Sequence, residues 1–242
     1  MARYYTSINN SSTFNLSDID NTYTRITGDD RCATVTLNSP FNFNNINYTT
    51  MYPSTNGMIN FTKVYNDLEP NINENSQLVG FFFPQTDIFF SDSATYGMYY
   101  RESNNIFTVI YNGYYIDQSS NLYQLKVNLY LSGHFKSGTV EYNYGVINNS
   151  DKSSVLGFSF GTSNTANFIQ DTNLLIPQVF VYPYCPYVNI TNSQSNYTNK
   201  QLSIIPYQNS TQPIQNNSFV GFSSNKSKQV VRKRINKIID NL

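Results

Sequence analysis

Tryptophan is absent from this 242-residue chain, histidine occurs once and cysteine twice. A lone imidazole, His134 in Ser132-Gly133-His134-Phe135, cannot build a histidine-rich metal site and reads as an exposed turn residue. Charged side chains make up only 12% of the chain, so solubility rests on uncharged polar groups. No apolar stretch approaches the ~18 residues that a membrane-spanning helix needs. The opening Met1-Ala2-Arg3-Tyr4-Tyr5-Thr6-Ser7 lacks the apolar run of a signal peptide. A mature form and a chain outside the standard secretory route both account for that. Cys32 and Cys185 lie far apart. A disulfide between them and a pair of buried thiols both stay open, and the missing leader favours thiols.

Aromatic and amide side chains are plentiful: 21 Tyr and 17 Phe, with 36 Asn and 27 Ser. Asn and Ser bond their own backbone and oppose helix, whereas Tyr, Phe, Thr, Ile and Val suit pleated strands. The composition predicts strands joined by Asn/Ser/Gly turns. Charge is unevenly placed. Residues 1–225 hold 9 basic and 14 acidic side chains, and residues 226–242 hold 6 basic and one acidic. The body is mildly acidic and the tail basic, a pattern that points the tail toward an acidic partner.

Residues 1–30 form a polar N-terminal arm without a clear period. Strand rhythm begins at Cys32-Ala33-Thr34-Val35-Thr36-Leu37 and ends at Asn38-Ser39-Pro40. Tyr48 to Tyr52 and Met58 to Phe61 flank Ser54-Thr55-Asn56-Gly57, and Asn-Gly between such runs predicts a hairpin with positive φ at both central residues. Leu78 to Pro84 is a continuous apolar run. Met98 to Glu102 and Ile106 to Tyr111 make a hairpin across Ser103-Asn104-Asn105, and a second Asn-Gly follows at Asn112-Gly113. Leu122 to Leu131 puts Leu125, Val127 and Leu129 on one face. Thr139 to Gly145 and Ser154 to Phe160 continue the pattern. Nine or ten strands at this spacing predict an all-β, antiparallel β-sandwich over residues 31–182. Residues 183–225 form a Pro/Asn/Ser-rich loop or linker, parts of which pack through Leu202 to Ile205 and Phe219 to Phe222.

Residues 226–242 read as a short C-terminal basic amphipathic helix. Val231, Ile235, Ile238 and Leu242 fall on one stripe, flanked by Lys228, Arg232, Lys233, Arg234 and Lys237. At ~17 residues it needs a surface to dock on. Docking on other protein subunits is favoured over phosphate contacts to nucleic acid and over an anionic membrane surface. The predicted partner-binding residues are Val231, Arg232, Lys233, Arg234, Ile235, Lys237, Ile238 and Leu242.

Motifs that carry chemistry elsewhere have bland readings here. Gly157-Phe158-Ser159-Phe160-Gly161 matches a nucleophile pattern, but it alternates like a strand and no helix follows it. Asp18/Asp20, Asp29/Asp30, Asp87 and Asp92 lack calcium-loop spacing and read as solvated loop carboxylates. Eleven Asn-x-Ser/Thr sequons, Asn60 among them, follow largely from composition. No cofactor, metal or catalytic residue is expected, so the chain reads as non-enzymatic. Loops at 65–77, 112–121 and 148–153, rich in Tyr, Asn and Ser, carry the residue mixture of a binding face.

Four segments, in order, resemble the nidogen-type extracellular (NIDO) domain over roughly residues 35–165. They are Thr49-Thr50-Met51-Tyr52-Pro53-Ser54-Thr55-Asn56-Gly57-Met58-Ile59-Asn60-Phe61, then Tyr99-Tyr100-Arg101-Glu102, then Phe107 to Tyr111. Leu122 to Leu125, Glu141-Tyr142-Asn143-Tyr144-Gly145 and Val155 to Phe158 complete the set, with a Tyr-Gly turn. The family's Pro-Phe-Trp segment stands here as Gly80-Phe81-Phe82-Phe83-Pro84. The resemblance implies a β-sandwich adhesion or matrix module without catalytic residues. Overall residue usage also resembles proteins of AT-rich genomes, including giant DNA viruses. The expected role is a structural or adhesion component of a virion or surface assembly, anchored by its C-terminal helix and located on a virion or extracellular surface. The alternative is a carbohydrate- or receptor-binding domain on a particle or cell surface.

Overall fold

Apolar residues on a two-residue beat, with asparagines at the corners, fold this chain into antiparallel strands. The computed structural model describes residues 4–9, 13–65, 78–93, 95–116, 118–147, 154–161, 169–170, 187–190 and 201–206, all within one unit spanning residues 1–211. Fifteen strands occur among them: β1 (Tyr4–Asn9), β2 (Thr24–Ile26), β3 (Val35–Phe43), β4 (Ile46–Ser54), β5 (Met58–Asn60), β6 (Val79–Gln85), β7 (Ile88–Phe89), β8 (Gly97–Ser103), β9 (Ile106–Tyr115), β10 (Gln118–Tyr130), β11 (Val140–Ile147), β12 (Ser154–Phe160), β13 (Ile169–Gln170), β14 (Tyr187–Ile190) and β15 (Gln201–Pro206). The first sheet runs β1-β15-β11-β10-β9-β8-β2, with β7 also pairing β9; the second runs β13-β14-β12-β6-β5-β4-β3. Strands therefore come from outside 31–182 on both sides: β1 and β2 from the polar arm, β14 and β15 from the Pro/Asn/Ser-rich stretch.

The two inner faces meet in one apolar core, which makes the fold an all-β sandwich. From the first sheet come Phe107, Val109 and Tyr111 of β9, Tyr123, Leu125, Val127 and Leu129 of β10, and Val140, Tyr142 and Tyr144 of β11. From the second come Phe41, Phe43, Phe61, Phe81 and Phe158. Phe81 is central, with the other four ring centroids 4.6–6.2 Å away. Each such ring contributes on the order of 1.5–3 kcal/mol by leaving water. Tyr123 stands edge-on to Tyr111 and Tyr115 at 6.1 and 5.8 Å. Burial pushes the hydroxyl pKa values of Tyr111, Tyr123 and Tyr142 well up, so these rings act as neutral core residues.

The corners differ in part from the sequence reading. The β8–β9 hairpin turns on Asn104 and Asn105, both with positive φ, and Asn44 and Asn45 do the same between β3 and β4. Asparagine tolerates this left-handed conformation, which matches the strand twist. The Ser54 corner is a three-residue loop in which only Gly57 has positive φ, because Ser54 pairs directly with Met58. Asn112-Gly113 is no corner at all. It lies inside β9, and Gly113 is bare because the Phe90 ring and the Phe89 carbonyl lie where a Cβ would go, 2.5 and 2.9 Å away. Likewise Tyr144-Gly145 is a bulge within β11 rather than a turn: Tyr123 pairs with Ile147 but Leu125 with Tyr144. The expected helix over 226–242 lies outside the described residues.

Candidate functional site

Both short motifs of the central region build the ends of the sandwich. At one end, β3 bulges. Thr36 pairs with Thr50 and Phe41 with Tyr48, so Leu37–Pro40 stand opposite Thr49 alone. Pro40 lacks a donor and is tolerated in such a bulge. Glu102, the last residue of Tyr99-Tyr100-Arg101-Glu102, accepts the backbone N–H groups of Asn38 at 2.8 Å and Ser39 at 3.2 Å. Its carboxylate thus ties the first sheet to the bulge of the second. The β10–β11 loop joins the same end: Leu131 N–H donates to the Asn105 carbonyl at 2.8 Å and Ser132 N–H to the Pro40 carbonyl at 2.9 Å.

The opposite end is closed by Ser54-Thr55-Asn56-Gly57. Tyr111 reaches across the core and donates its hydroxyl to the Ser54 carbonyl at 3.0 Å. Arg31 N–H donates to Thr55 Oγ1 at 2.9 Å, Thr55 N–H returns to the Arg31 carbonyl at 2.8 Å, and Asn56 Nδ2 donates to Asp30 Oδ1 at 2.8 Å. Thr86 N–H donates to the Asn56 carbonyl at 3.1 Å. The neighbouring Asp29 has its carboxyl pKa raised, first by burial and then by the Asp30 charge.

A strap crosses the outer face of the first sheet. The chain leaves β1 at one edge and returns as β2 at the other. Between them Thr13 donates to Asn143 Oδ1 through both its N–H and its hydroxyl, and Phe14 lies over Gly145, where a Cβ would sit 2.4 Å from its ring. Lys126 pairs with Asp18 at 2.8 Å and Arg101 with Asp20 at 3.2 Å, while Arg101 also lies 4.3 Å over the Tyr23 ring. Two hydrogen bonds from Thr22, and then the Arg101 charge, hold the Asp20 carboxyl below its usual range. Beneath the strap the sheet carries cross-strand amide and hydroxyl pairs: Thr108–Asn128, Gln124–Asn112 and Gln201–Asn143 at 2.8–3.0 Å. The polar arm suits the polar face that it covers.

One aromatic ring projects from this framework. Phe135, at the tip of the β10–β11 loop, is 87% exposed. Its loop is rigidly closed. Gly138 N–H donates to the Tyr130 carbonyl, Thr139 N–H to the Lys136 carbonyl and Lys136 N–H to His134 Nδ1, at 2.8–3.0 Å. That last bond places the neutral imidazole's hydrogen on Nε2. His134 stacks between Tyr130 and Phe135 at 4.5 Å from each, so it is half-buried rather than an exposed turn residue. Lys136 pairs with the buried Glu141 at 2.7 Å, and Glu141 also accepts the Tyr130 hydroxyl. Sequence reasoning placed a turn here but missed Phe135, whose only signal is a bulky apolar residue between a histidine and a lysine in a glycine-bearing turn.

The other singled-out residues divide. Ser159 is buried within β12, and its Oγ accepts the Gly161 N–H at 3.1 Å, as a core strand requires. Asp87 is buried at 9% exposure beside β7, against the expectation of a solvated carboxylate, because β7 folds onto β9 and the Asp87 carbonyl accepts Ile116 N–H. Asp92 is exposed. Asn60 is wholly buried, its amide wrapped by Thr62 and Lys63. Cys32 carries a free, half-buried thiol whose pKa burial raises; Cys185 lies outside the described residues. So do Val231, Arg232, Lys233, Arg234, Ile235, Lys237, Ile238 and Leu242, and residues 66–77 and 148–153 of the expected loop face. The third segment of that face, 112–121, is mostly strand in β9 and β10. Among the described residues no three His, Cys, Asp or Glu side chains are grouped to hold a metal ion, and no helix is long and apolar enough to cross a membrane.

A family model described as NIDO related matches residues 4–203. No curated protein and no solved structure matches the chain.

Proposed function

The chain belongs to the NIDO-related family, of an extracellular, structural type, and from that premise we propose that it works as a non-enzymatic structural or adhesion component of a virion or surface assembly, anchored by residues 226–242. The observation that carries this reading is how the charged side chains are used. Glu102, Arg101, Lys126, Asp18 and Asp20 fasten sheet to sheet or strap to sheet. A module that carries load needs such fasteners, whereas a catalyst needs them aimed at a substrate. The anchoring stripe Val231, Ile235, Ile238 and Leu242 seats on a neighbouring subunit, with Arg232, Lys233, Arg234 and Lys237 meeting acidic groups around it. Deleting residues 226–242 leaves the sandwich folded and abolishes assembly, as read by native mass and circular dichroism. Normal assembly of the shortened chain sinks the anchoring role.

A second reading, binding of a glycan or receptor, is favoured by the Phe135 loop. A fixed loop that exposes an aromatic ring beside an imidazole and a lysine suits stacking against a partner. A glycan array separates the two readings, because a purely structural subunit retains nothing on it.

A further inference from the structure

A sheet ends in strands whose outward N–H and C=O groups are open to pairing, and proteins guard such edges with short strands, prolines, bulges and charges, lysine above all. Three of the four edges here are guarded. At one side of the first sheet, β2 has only three residues, one of them Arg25, whose guanidinium folds over the Ser93–Tyr96 turn to bond the Tyr96 carbonyl at 2.7 and 3.0 Å. In the second sheet β13 has two residues, and β3 carries both Pro40 and the Leu37–Pro40 bulge. The fourth edge is different. β1 pairs with β15 at six consecutive positions without a bulge, and Tyr4-Tyr5-Thr6-Ser7-Ile8-Asn9 contains neither a charge nor a proline. Among the described strands nothing pairs its other side.

We propose that β1 is a self-association edge, at which two copies of this chain join antiparallel about a twofold axis and make one sheet continuous across both. The occupant is a second copy for a reason of charge. A strand without charges meets its own duplicate without repulsion, and it gives a charged partner segment nothing to pair with. The geometry is also self-complementary. A twofold axis perpendicular to the sheet places residues of the same face opposite each other, so the pairing centres on one residue, Thr6 or Ser7. Centring on Ser7 pairs position 5 with 9 and 6 with 8; centring on Thr6 pairs 4 with 8 and 5 with 7. This contact is separate from the anchoring by residues 226–242, which joins the chain to other subunits of the assembly, so the β1 dimer of the purified chain survives deletion of that tail and S7K leaves the anchoring intact.

The test is native mass of the full chain with and without Ser7→Lys. Position 7 pairs with Ser203 of β15, an uncharged neighbour, so the substitution brings no like charge into that pair. In the dimer the two lysines stand opposite one another or on the diagonal, where like charges destabilise. The expected result is a wild-type species of twice the 27.7 kDa chain mass and an S7K species of single mass, with strand circular dichroism unchanged and a melting temperature that no longer depends on protein concentration. A wild-type chain of single mass overturns the proposal, and so does an S7K chain that keeps the double mass.

Discussion

Replacing Glu102 discriminates between a motif kept for structure and one kept for binding. Its carboxylate accepts two backbone N–H groups, from Asn38 at 2.8 Å and Ser39 at 3.2 Å, that no strand can satisfy because they belong to the bulge in β3. A hydrogen bond to a charged acceptor is worth about 1.5–3 kcal/mol net when shielded from water. Asn38 is exposed and Ser39 only half-buried, so water replaces part of each bond. The expected loss for Glu102→Ala is therefore about 2–3 kcal/mol, below the roughly 3–6 kcal/mol that two fully shielded bonds would sum to. Glu102→Gln keeps one acceptor oxygen but no charge, and it turns its NH₂ toward a donor; its expected loss is about 1 kcal/mol.

Urea unfolding of the full chain reads these values directly. With no tryptophan to report, tyrosine fluorescence and far-ultraviolet circular dichroism follow the transition. A slope of about 2 kcal/mol per molar puts the Glu102→Ala midpoint roughly 1 M below wild type. An unchanged or raised midpoint refutes the clamp, and a raised one points instead to a carboxylate held for a ligand at the expense of stability.

Asp29→Asn keeps the acceptor for Asp30 N–H and removes a charge whose carboxyl pKa is raised by burial and by Asp30. A raised carboxyl pKa means that the folded state holds this proton more tightly than the unfolded chain, so ionisation lowers stability as pH rises. The substitution therefore stabilises at neutral pH, and thermal melts at a series of pH values show the gain vanish as pH falls below the carboxylate range. Gly145→Ala places a methyl 2.4 Å from the Phe14 ring; hydrogen exchange in residues 13–23 rises by more than exchange in β9 and β10. Phe135→Ala, at an 87% exposed site, changes stability by less than about 0.5 kcal/mol but removes any glycan-array or cell-surface signal that wild type gives.

The inner faces were readable from the sequence because burial imposes a strict two-residue beat: Leu125, Val127 and Leu129 lie where alternation puts them. Corners were readable only in part. Asn112-Gly113 carries the local signature of a hairpin, yet Phe90 packs on Gly113, and this tertiary contact makes the glycine a flat place in β9 instead. Asn44-Asn45 carries a weaker local signature and turns, since the paired runs on either side leave no other geometry. Asp87 looked like a loop carboxylate because nothing in Gln85-Thr86-Asp87 announces that β7 folds onto β9. The strap was least legible. A polar segment reads as solvated unless one knows that the face awaiting it is polar too.

That face also explains how a chain with so few charges manages its surface. Amides and hydroxyls satisfy one another across strands at Thr108–Asn128, Gln124–Asn112 and Gln201–Asn143, and the strap bonds the row at Asn143. Gln124 also mends the bulge in β11, since its Oε1 accepts Val146 N–H while its Nε2 bonds Asn112. Such a lattice keeps water-facing polar groups paired, but it is electrically neutral. Along such a row the like-charge repulsion that keeps copies of a protein apart is missing, and it comes only from the charges placed elsewhere on the mildly acidic body. Edge pairing is then resisted by strand shape at β3 and β13, and by shortness together with Arg25 at β2. An edge left straight, six residues long and uncharged on such a molecule is the place where a second copy meets the least resistance.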